Sequence, residues 1–336
     1  MNKRYEFVDN VKGIAIISVV LGHLFAMVSG SDPMVELDRP VRFLSVYELA
    51  AFFVVSGFLM AQKEPEGLDF KHYTVKRFKR LMPVYLVFSL LYLVQEVSLT
   101  NTLHIVTGFG ISVLWFLPTL LLGEALWLLV RRLGRTWLQA AASASLAAAT
   151  CVCGSFMRAG EREAGALWLQ AVGCVFVLAL RACVGQLFVG VGYVLDGFLK
   201  KAGGRRTALV TAMCLAAGIS CGLAVSTADW RIMNIKEPLL WLTGAAALSA
   251  GLVLIFYSLE KRRLRVPALG QIGRESLLIM CTHLQFGIMP LCISLGYQAS
   301  AASPHAKSYV LWGTILLSLA AVETVLVLIK RHGYKY

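Results

Sequence analysis

The sequence predicts an all-α polytopic membrane protein, a bundle of about ten transmembrane helices. Two observations carry this prediction. The 336-residue chain is 58% hydrophobic and only 15% charged, with a mean hydropathy of +0.70, and a water-soluble core cannot enclose that much apolar surface. The apolar residues are also collected in runs of about 20, the length at which a helix crosses a bilayer, with short basic clusters between the runs.

Nine of the apolar runs each have the length of one membrane crossing. The stretch 166–199 is too long for one ordinary span, and charge decides how often it crosses. Because basic loops stay in the cytoplasm, two crossings would place Lys200 and its basic neighbours outside and invert every later loop. We therefore expect one crossing near 181–199, after a re-entrant, interfacial or tilted extension over 166–180 that ends at Arg181. The nine runs lie near 11–29, 46–62, 83–98, 111–130, 138–156, 207–226, 239–257, 275–296 and 308–329.

The basic clusters also set the topology. With ten crossings all of them fall on one side of the membrane, so both termini are predicted to be cytoplasmic. The outer loops are then short, and none is long enough to fold by itself. We expect a single membrane-embedded domain over 1–336, with no soluble domain, in a multi-pass protein of the cell membrane. The clusters lie at the N-terminus and in 63–81, 131–137, 200–206, 258–265 and 330–336.

Composition excludes several other classes. A net charge of +13 would suggest nucleic-acid binding in a soluble protein, but here the basic residues act as topology signals. All eight cysteines lie in apolar runs, which argues against a disulfide framework and a metal site, and Cys151 and Cys153 lack the spacing of zinc ligands. The first run is not a signal peptide, because Lys12 and His23 interrupt it and no Ala-x-Ala cleavage site follows.

The first span holds the main candidate for chemistry. His23 lies inside it, where an ionisable group costs about 2.5 kcal/mol or more and marks a functional site by default. The alternative is a histidine satisfied within the bundle. Lys12 precedes it by eleven residues, about 16 Å along a helix. A cation at the inner surface and an imidazole near mid-membrane suit a long anionic ligand such as coenzyme A, although Lys12 can equally be a snorkelling topology residue.

Two further motifs can contribute to such a site. In the second span, Ser56 and Gly57 are small residues among bulky ones and allow close approach of a ligand or, more commonly, of another helix. Ahead of the third span, Arg77 and Arg80 are three residues apart, so a helix shows both on one face as a fork able to hold phosphate. A basic run of this kind is more often a topology determinant.

Other polar side chains fall inside the predicted spans and are expected to face the bundle or a cavity. A proton or ion pathway would use such residues, so a transporter remains a candidate class. Trp115 and Phe116 lie at the outer end of the fourth span, where aromatic residues commonly form an interfacial belt. The polar residues are Glu48, Glu124, Asp196, His283 and Glu323.

Taken together, these motifs resemble those of acyltransferase family 3, a family of integral-membrane acyltransferases. Members carry a basic residue separated by ten residues from a histidine in the first helix, and a Phe-Phe-x-x-Ser-Gly-Phe-like second helix. Three further motifs follow these two: an arginine-rich stretch that ends in proline, a helix that opens with Trp-Phe-Leu, and a late Gly-x-x-Ser-Leu helix with a histidine. No single motif is specific, but their order agrees along nearly the whole chain. The matching segments are Lys12 to His23, Phe52 to Phe58, Arg77 to Pro83, Trp115 to Leu117 and Gly273 to His283.

The resemblance implies a protein of the bacterial cytoplasmic membrane that moves acyl groups, usually acetyl, from cytoplasmic acyl-CoA to hydroxyls of surface glycans or lipid-linked sugars. Acetyl-CoA is then a substrate, and no permanently bound cofactor, metal ion or nucleic acid is expected. Related sugar-acetylating proteins read His-Met-Pro before the double Phe, where this chain has Glu48-Leu49-Ala50. The resemblance implies that His23 is the catalytic residue. From the residues themselves we predict Lys12, Arg77 and Arg80 as ligands of the CoA phosphates, and Glu48, Ser56, Gly57, Trp115 and His283 as residues lining the site.

Two classes of function remain at this point. As an enzyme, the protein would use neutral His23 as general base for the acceptor hydroxyl or as a transient acyl carrier, with Ser56 or a backbone amide polarising the thioester carbonyl. As a transporter or exporter of a glycan precursor or small metabolite, it would relay protons through His23, Glu124 and Glu323. Composition and span count fit both classes, and the ordered motif set favours the enzyme.

Overall fold

In the computed structural model the described part of the chain is almost entirely helical, which confirms the predicted fold class. Its two short strands, β1 (Ala228–Asp229) and β2 (Asn234–Ile235), pair antiparallel. The helices are α1 (Glu6–Ser31), α2 (Asp38–Tyr47), α3 (Ala50–Ala61), α4 (Phe70–Gln95), α5 (Leu99–Val106), α6 (Phe116–Val130), α7 (Thr136–Gly160), α8 (Leu167–Lys201), α9 (Gly204–Ala224), α10 (Pro238–Lys261), α11 (Pro267–Arg274), α12 (Ser276–Thr282), α13 (Ile288–Ala301) and α14 (Lys307–Gly333). The described residues are 4–31, 37–63, 69–160, 167–302 and 307–333.

The helices account for the predicted membrane crossings. Within the described ranges, eight helical segments are long and apolar enough to cross a bilayer, and a bent pair makes nine. The remaining predicted span, 138–156, coincides with α7, whose 25 residues are long enough for a crossing, but α7 is not among the segments that are also apolar enough. The eight segments contain α1, α2 with α3, α4, α6 with the preceding 3-10 turn Ser112–Trp115, α8, α9, α10 and α14.

Helix α8 settles how the long apolar stretch is built. Its 35 residues form one unbroken helix about 52 Å long, which exceeds the thickness of the hydrocarbon core. The part of 166–180 that the structure describes is therefore a helical extension of the crossing segment and not a re-entrant turn. The extension does not end at Arg181, which is fully buried inside the bundle.

The second predicted span is longer than expected and is broken. Its helical part begins at Asp38 instead of residue 46, and a turn at Glu48 and Leu49 separates α2 from α3. Irregular backbone inside a membrane is tolerated where it is buried in protein or lines a cavity. The break therefore points to a cavity next to Glu48.

The ninth predicted span, 275–296, is not one straight helix. Its axis bends by 82° between Ser276–Thr282 and Gln285–Ala301. Phe286 and Gly287 adopt left-handed backbone conformations with φ of 55° and 68°, which a continuous helix cannot contain. His283 lies at this break, so its side chain is placed by an irregular segment.

A close helix crossing in the core joins α3 and α8. A β-carbon on Gly57 would collide with the carbonyl group of Val189, and one on Gly192 would collide with that of Val54. The two glycines therefore let the helix backbones touch. This is the helix-packing interpretation of Gly57, of the kind that small residues serve in membrane bundles.

Replacing Gly192 by alanine is expected to lower the free energy of unfolding by about 1–3 kcal/mol, because the added carbon overpacks the crossing. Gly197→Ala, on the same helix, is the matched control, since nothing lies within 4 Å of the carbon it adds. The midpoint of thermal unfolding in detergent compares the two variants. Equal midpoints would show that the helices are not in contact at Gly192.

Candidate active site

A basic cavity lies at the end of the bundle predicted to face the cytoplasm. This inner cavity has a volume of about 250 Å³ and is lined by cations from three regions of the chain. Lys12 comes from α1, and Arg77 and Arg80 from α4, so the structure brings together three cations that the sequence predicted separately. Arg4, just ahead of α1, and Arg274, at the end of α11, join them. The sequence analysis missed Arg274 because nothing in the chain places α11 beside α1.

Within the inner cavity, Arg77 already has a partner. Its Nε donates a hydrogen bond to the Glu124 carboxylate at 2.6 Å, and its Nη2 forms an ion pair with the same group. Ser56 Oγ also donates to Glu124, whose side chain is 1% exposed. The pair joins α3, α4 and α6 and neutralises one buried charge with the other.

Three other cations of the inner cavity keep their charge available. Lys12, Arg80 and Arg274 have no ion-pair partner among the described residues, whereas Arg4 pairs with Asp9 at 2.8 Å. An excess of cations over carboxylates around one cavity favours an anionic ligand such as a phosphate.

A second, larger cavity lies further along the same helices. This outer cavity has a volume of about 480 Å³ and is lined by His23, Glu48 and Trp115, all three predicted from the sequence. Arg42 and Ser45 of α2 also line it. The break between α2 and α3 explains the position of Glu48, because the turn directs that residue toward the cavity and not toward the lipid.

One wall of the outer cavity is formed by the loop between α9 and α10, which folds back into the bundle. Trp230 is 5% exposed and contacts four other aromatic rings. Ser226 donates hydrogen bonds to Glu237 from its Oγ at 2.6 Å and from its backbone N at 3.0 Å, and these bonds hold the pKa of Glu237 below its usual range. The rings that contact Trp230 belong to Phe53, Trp115, Phe188 and Trp241.

Residues 226–231 of this loop line the outer cavity, and the sequence analysis missed them. The available signal was Asp229-Trp230-Arg231, an aromatic residue between opposite charges in a short outer loop. Asp229 and Arg231 are exposed at the cavity edge. They add a hydrogen-bond acceptor and a donor to a cavity that Glu48 and Arg42 already make polar.

A second histidine lies beside His23. The ring centroids of His23 and His283 are 5.4 Å apart. His283 is fully buried, and its Nδ1 lies 2.8 Å from the Ile279 carbonyl oxygen. Because a carbonyl only accepts, Nδ1 carries the proton in the neutral ring and Nε2 presents a lone pair. On the other side, a carboxylate oxygen of Glu48 would lie 3.2 Å from a β-carbon added at Gly22, next to His23.

The two cavities share a wall. Phe116 and Met280 line both of them, and each is only 3% exposed. Trp115 and Phe116 are therefore not interfacial belt residues, because both are buried between the cavities. Next to them the Arg181 guanidinium lies 4.9 Å from the Trp115 ring and fixes α8 against this region.

Five of the predicted residues line neither cavity. His283, predicted to line the site, packs behind His23, and Glu124 pairs with Arg77, while the other three lie further away. Gly57 faces α8, although its neighbour Ser56 lines the inner cavity. Glu323 accepts a hydrogen bond of 3.0 Å from Thr282 between α14 and α12, and Asp196 pairs with Lys200 at 2.7 Å. A relay through His23, Glu124 and Glu323 would therefore have to join the outer cavity, the inner cavity and a separate helix contact.

The fold and the site define a multi-span membrane protein with a basic cavity on one side of a buried wall and a polar cavity, lined by His23, on the other. A family model described as an acyltransferase domain, that of acyltransferase family 3, matches residues 5–329, essentially the whole chain. The chain belongs to this family and is a membrane acyltransferase. Searches of curated proteins and of solved structures found no match.

The contact between Arg77 and Glu124 makes a prediction about stability. Glu124→Ala is expected to destabilise the protein by about 3–5 kcal/mol, because it leaves a guanidinium buried without its partner. The double variant Arg77→Met with Glu124→Leu removes both charges and should recover most of that loss. Thermal unfolding of the three proteins in detergent tests this, and a wild-type midpoint for Glu124→Ala would contradict it.

Proposed function

We propose that the protein is an O-acyltransferase that moves an acetyl or other short acyl group from cytoplasmic acyl-CoA to a hydroxyl of a cell-envelope carbohydrate or lipid-linked sugar. The observation that carries this proposal is the pair of cavities on either side of one buried wall, a basic one and an imidazole-lined one. Acyl transfer between ligands on opposite sides of a membrane needs one site for each ligand and a catalytic group between them.

The inner cavity suits the donor. Coenzyme A carries phosphates at one end and its thioester at the end of a long flexible arm. Lys12, Arg80 and Arg274 supply positive charge for the phosphates at the inner face. His23 follows Lys12 on the same helix by eleven residues, or about 16 Å, so an arm that extends along α1 brings the thioester toward the imidazole. Arg77 can add a contact from its half-buried position beside Glu124.

The outer cavity suits a hydroxyl-rich acceptor. Glu48 and Asp229 accept hydrogen bonds from hydroxyl groups, while Arg42 and Arg231 donate to hydroxyl or ring oxygens. Trp115 adds an aromatic face of the kind on which sugar rings commonly stack. The cavity volume of about 480 Å³ falls in the range of small-ligand sites and admits a sugar residue.

In the proposed reaction neutral His23 accepts the proton of the acceptor hydroxyl as the oxygen attacks the thioester carbonyl carbon. The bond from oxygen to the acyl carbon forms, the carbon–sulfur bond breaks, and the thiolate of coenzyme A takes the proton from the imidazolium. In the two-step form, a His23 nitrogen attacks the thioester carbonyl carbon and the thiolate of coenzyme A leaves. The acceptor oxygen then attacks the acyl carbon, the bond from nitrogen to that carbon breaks, and the hydroxyl proton passes to the thiolate. In both forms His283 packs against His23 and limits the orientations of the ring.

His23→Ala is expected to reduce acyl transfer by a factor of about a hundred to ten thousand, the usual contribution of a general base, without loss of folded protein. The assay incubates membranes containing the protein, which supply their own acceptors, with acetyl-CoA labelled in the acetyl group and measures label retained in carbohydrate. His104→Ala is the matched control, because this half-buried histidine lines neither cavity. Wild-type labelling by His23→Ala would remove His23 from the reaction.

Lys12→Ala is expected mainly to raise the KM for acetyl-CoA, because a phosphate contact is made in the ground state and the transition state alike. Lys12→Arg should retain most activity, since arginine keeps the charge and pairs well with phosphate. Lys261→Ala, another cation near the predicted inner surface but outside the inner cavity, serves as control. An unchanged KM per folded molecule in Lys12→Ala would leave Lys12 as a topology residue only.

A further inference from the structure

The wall between the two cavities lies at one level of the bundle. From the turn before α3 into α3 itself, the lining residues change from Glu48 and Leu49, in the outer cavity, to Phe52 and the residues after it, in the inner cavity. On α6 the change falls at Phe116, and on α12 it falls at Met280, the two residues that line both cavities. A group that moves between the cavities must therefore pass these two side chains.

The two side chains of the wall differ in mobility. The Phe116 ring is held edge-on against Phe52 and Phe53, with ring centroids 5.6 Å and 5.4 Å away. Met280 lies on α12, a helix of only seven residues that ends at the break near His283. Methionine is unbranched and flexible, and it adapts its shape to what packs against it. The Phe116 ring is therefore the fixed side of the wall, and the Met280 side chain is the side that can change its conformation.

We propose that Phe116 and Met280 determine which acyl chains the enzyme accepts, by limiting the space between the thioester in the inner cavity and His23 in the outer cavity. This inference rests on the proposed function. A two-carbon acyl group passes when the end of the Met280 side chain turns aside. Each additional methylene needs space that the Phe116 ring and the backbone of α12 already occupy, since both wall residues are 3% exposed.

The expected preference for acetyl-CoA over a longer acyl-CoA follows from the way apolar sites select ligands by size. One extra methylene in a hydrophobic pocket changes kcat/KM by about 10-fold or more. Wild-type protein should therefore prefer acetyl-CoA over butyryl-CoA by at least about tenfold. Met280→Ala removes the side chain beyond its β-carbon and opens space for a longer chain, so the ratio of kcat/KM for butyryl-CoA to that for acetyl-CoA should rise about tenfold or more.

The experiment measures this ratio in membranes containing each variant, with butyryl-CoA and acetyl-CoA labelled in the acyl group and competing in one reaction. Because the two acyl-CoAs compete for the same enzyme molecules, the ratio of their kcat/KM values does not depend on how much of each variant is folded. Met280→Leu, of similar volume, should keep the wild-type ratio. Met289→Ala is the matched control for loss of a buried methionine, because Met289 is fully buried in a second apolar cluster and lines neither cavity.

Phe116→Leu is the second test if Met280→Ala does not fold. It puts a smaller side chain on the other side of the wall, which also opens space for a longer acyl chain, so the ratio should rise in the same direction. A wild-type ratio in whichever of these two variants is active overturns the proposal, and so does a wild-type protein that uses both acyl-CoAs equally well. If wild-type membranes transfer no more label from either acyl-CoA than His23→Ala membranes do, the proposed function itself is refuted.

Discussion

The ion pair between Arg77 and Glu124 is the interaction on which the inner half of the site depends. Neither charge is tolerated alone among apolar helices, because desolvation without a partner costs several kcal/mol. Paired, and with Ser56 donating to the same carboxylate, they join α3, α4 and α6 around one cavity. The pair also neutralises the charge of Glu124. The remaining cations of the cavity therefore face no competing carboxylate apart from Asp9, and a phosphate ligand can use them.

Breaks in two helices place the ionisable groups of the outer half. The turn between α2 and α3 carries Glu48 into the outer cavity, and the bend after α12 places His283 beside His23. In a bilayer an exposed break would leave backbone groups without hydrogen bonds, so breaks occur where protein or a cavity surrounds them. The same constraint that makes the protein helical therefore concentrates its irregular segments around the proposed site of acyl transfer.

Aromatic packing connects the outer loop with the wall between the cavities. Trp230 anchors the loop among the rings of the core, and Trp115 continues the cluster to Phe116. The loop thereby closes one side of the outer cavity without forming a separate domain. A rigid aromatic cluster on one side and a flexible methionine on the other give the wall one fixed and one movable face, which is the basis of the proposed acyl-chain selection.

The sequence by itself determined the class of the protein, its helical spans, the cations at the predicted inner surface and His23 as the central candidate. Hydropathy, charge and motif order are local properties, and each is read within one segment of the chain. Only the tertiary structure decided that Arg77 pairs with Glu124, that Gly57 faces α8 and that residues 226–231 enter the site. These outcomes depend on which helices become neighbours, and residues 47 to 177 positions apart in the chain make the contacts. No local pattern contains that information, because it arises when the bundle packs.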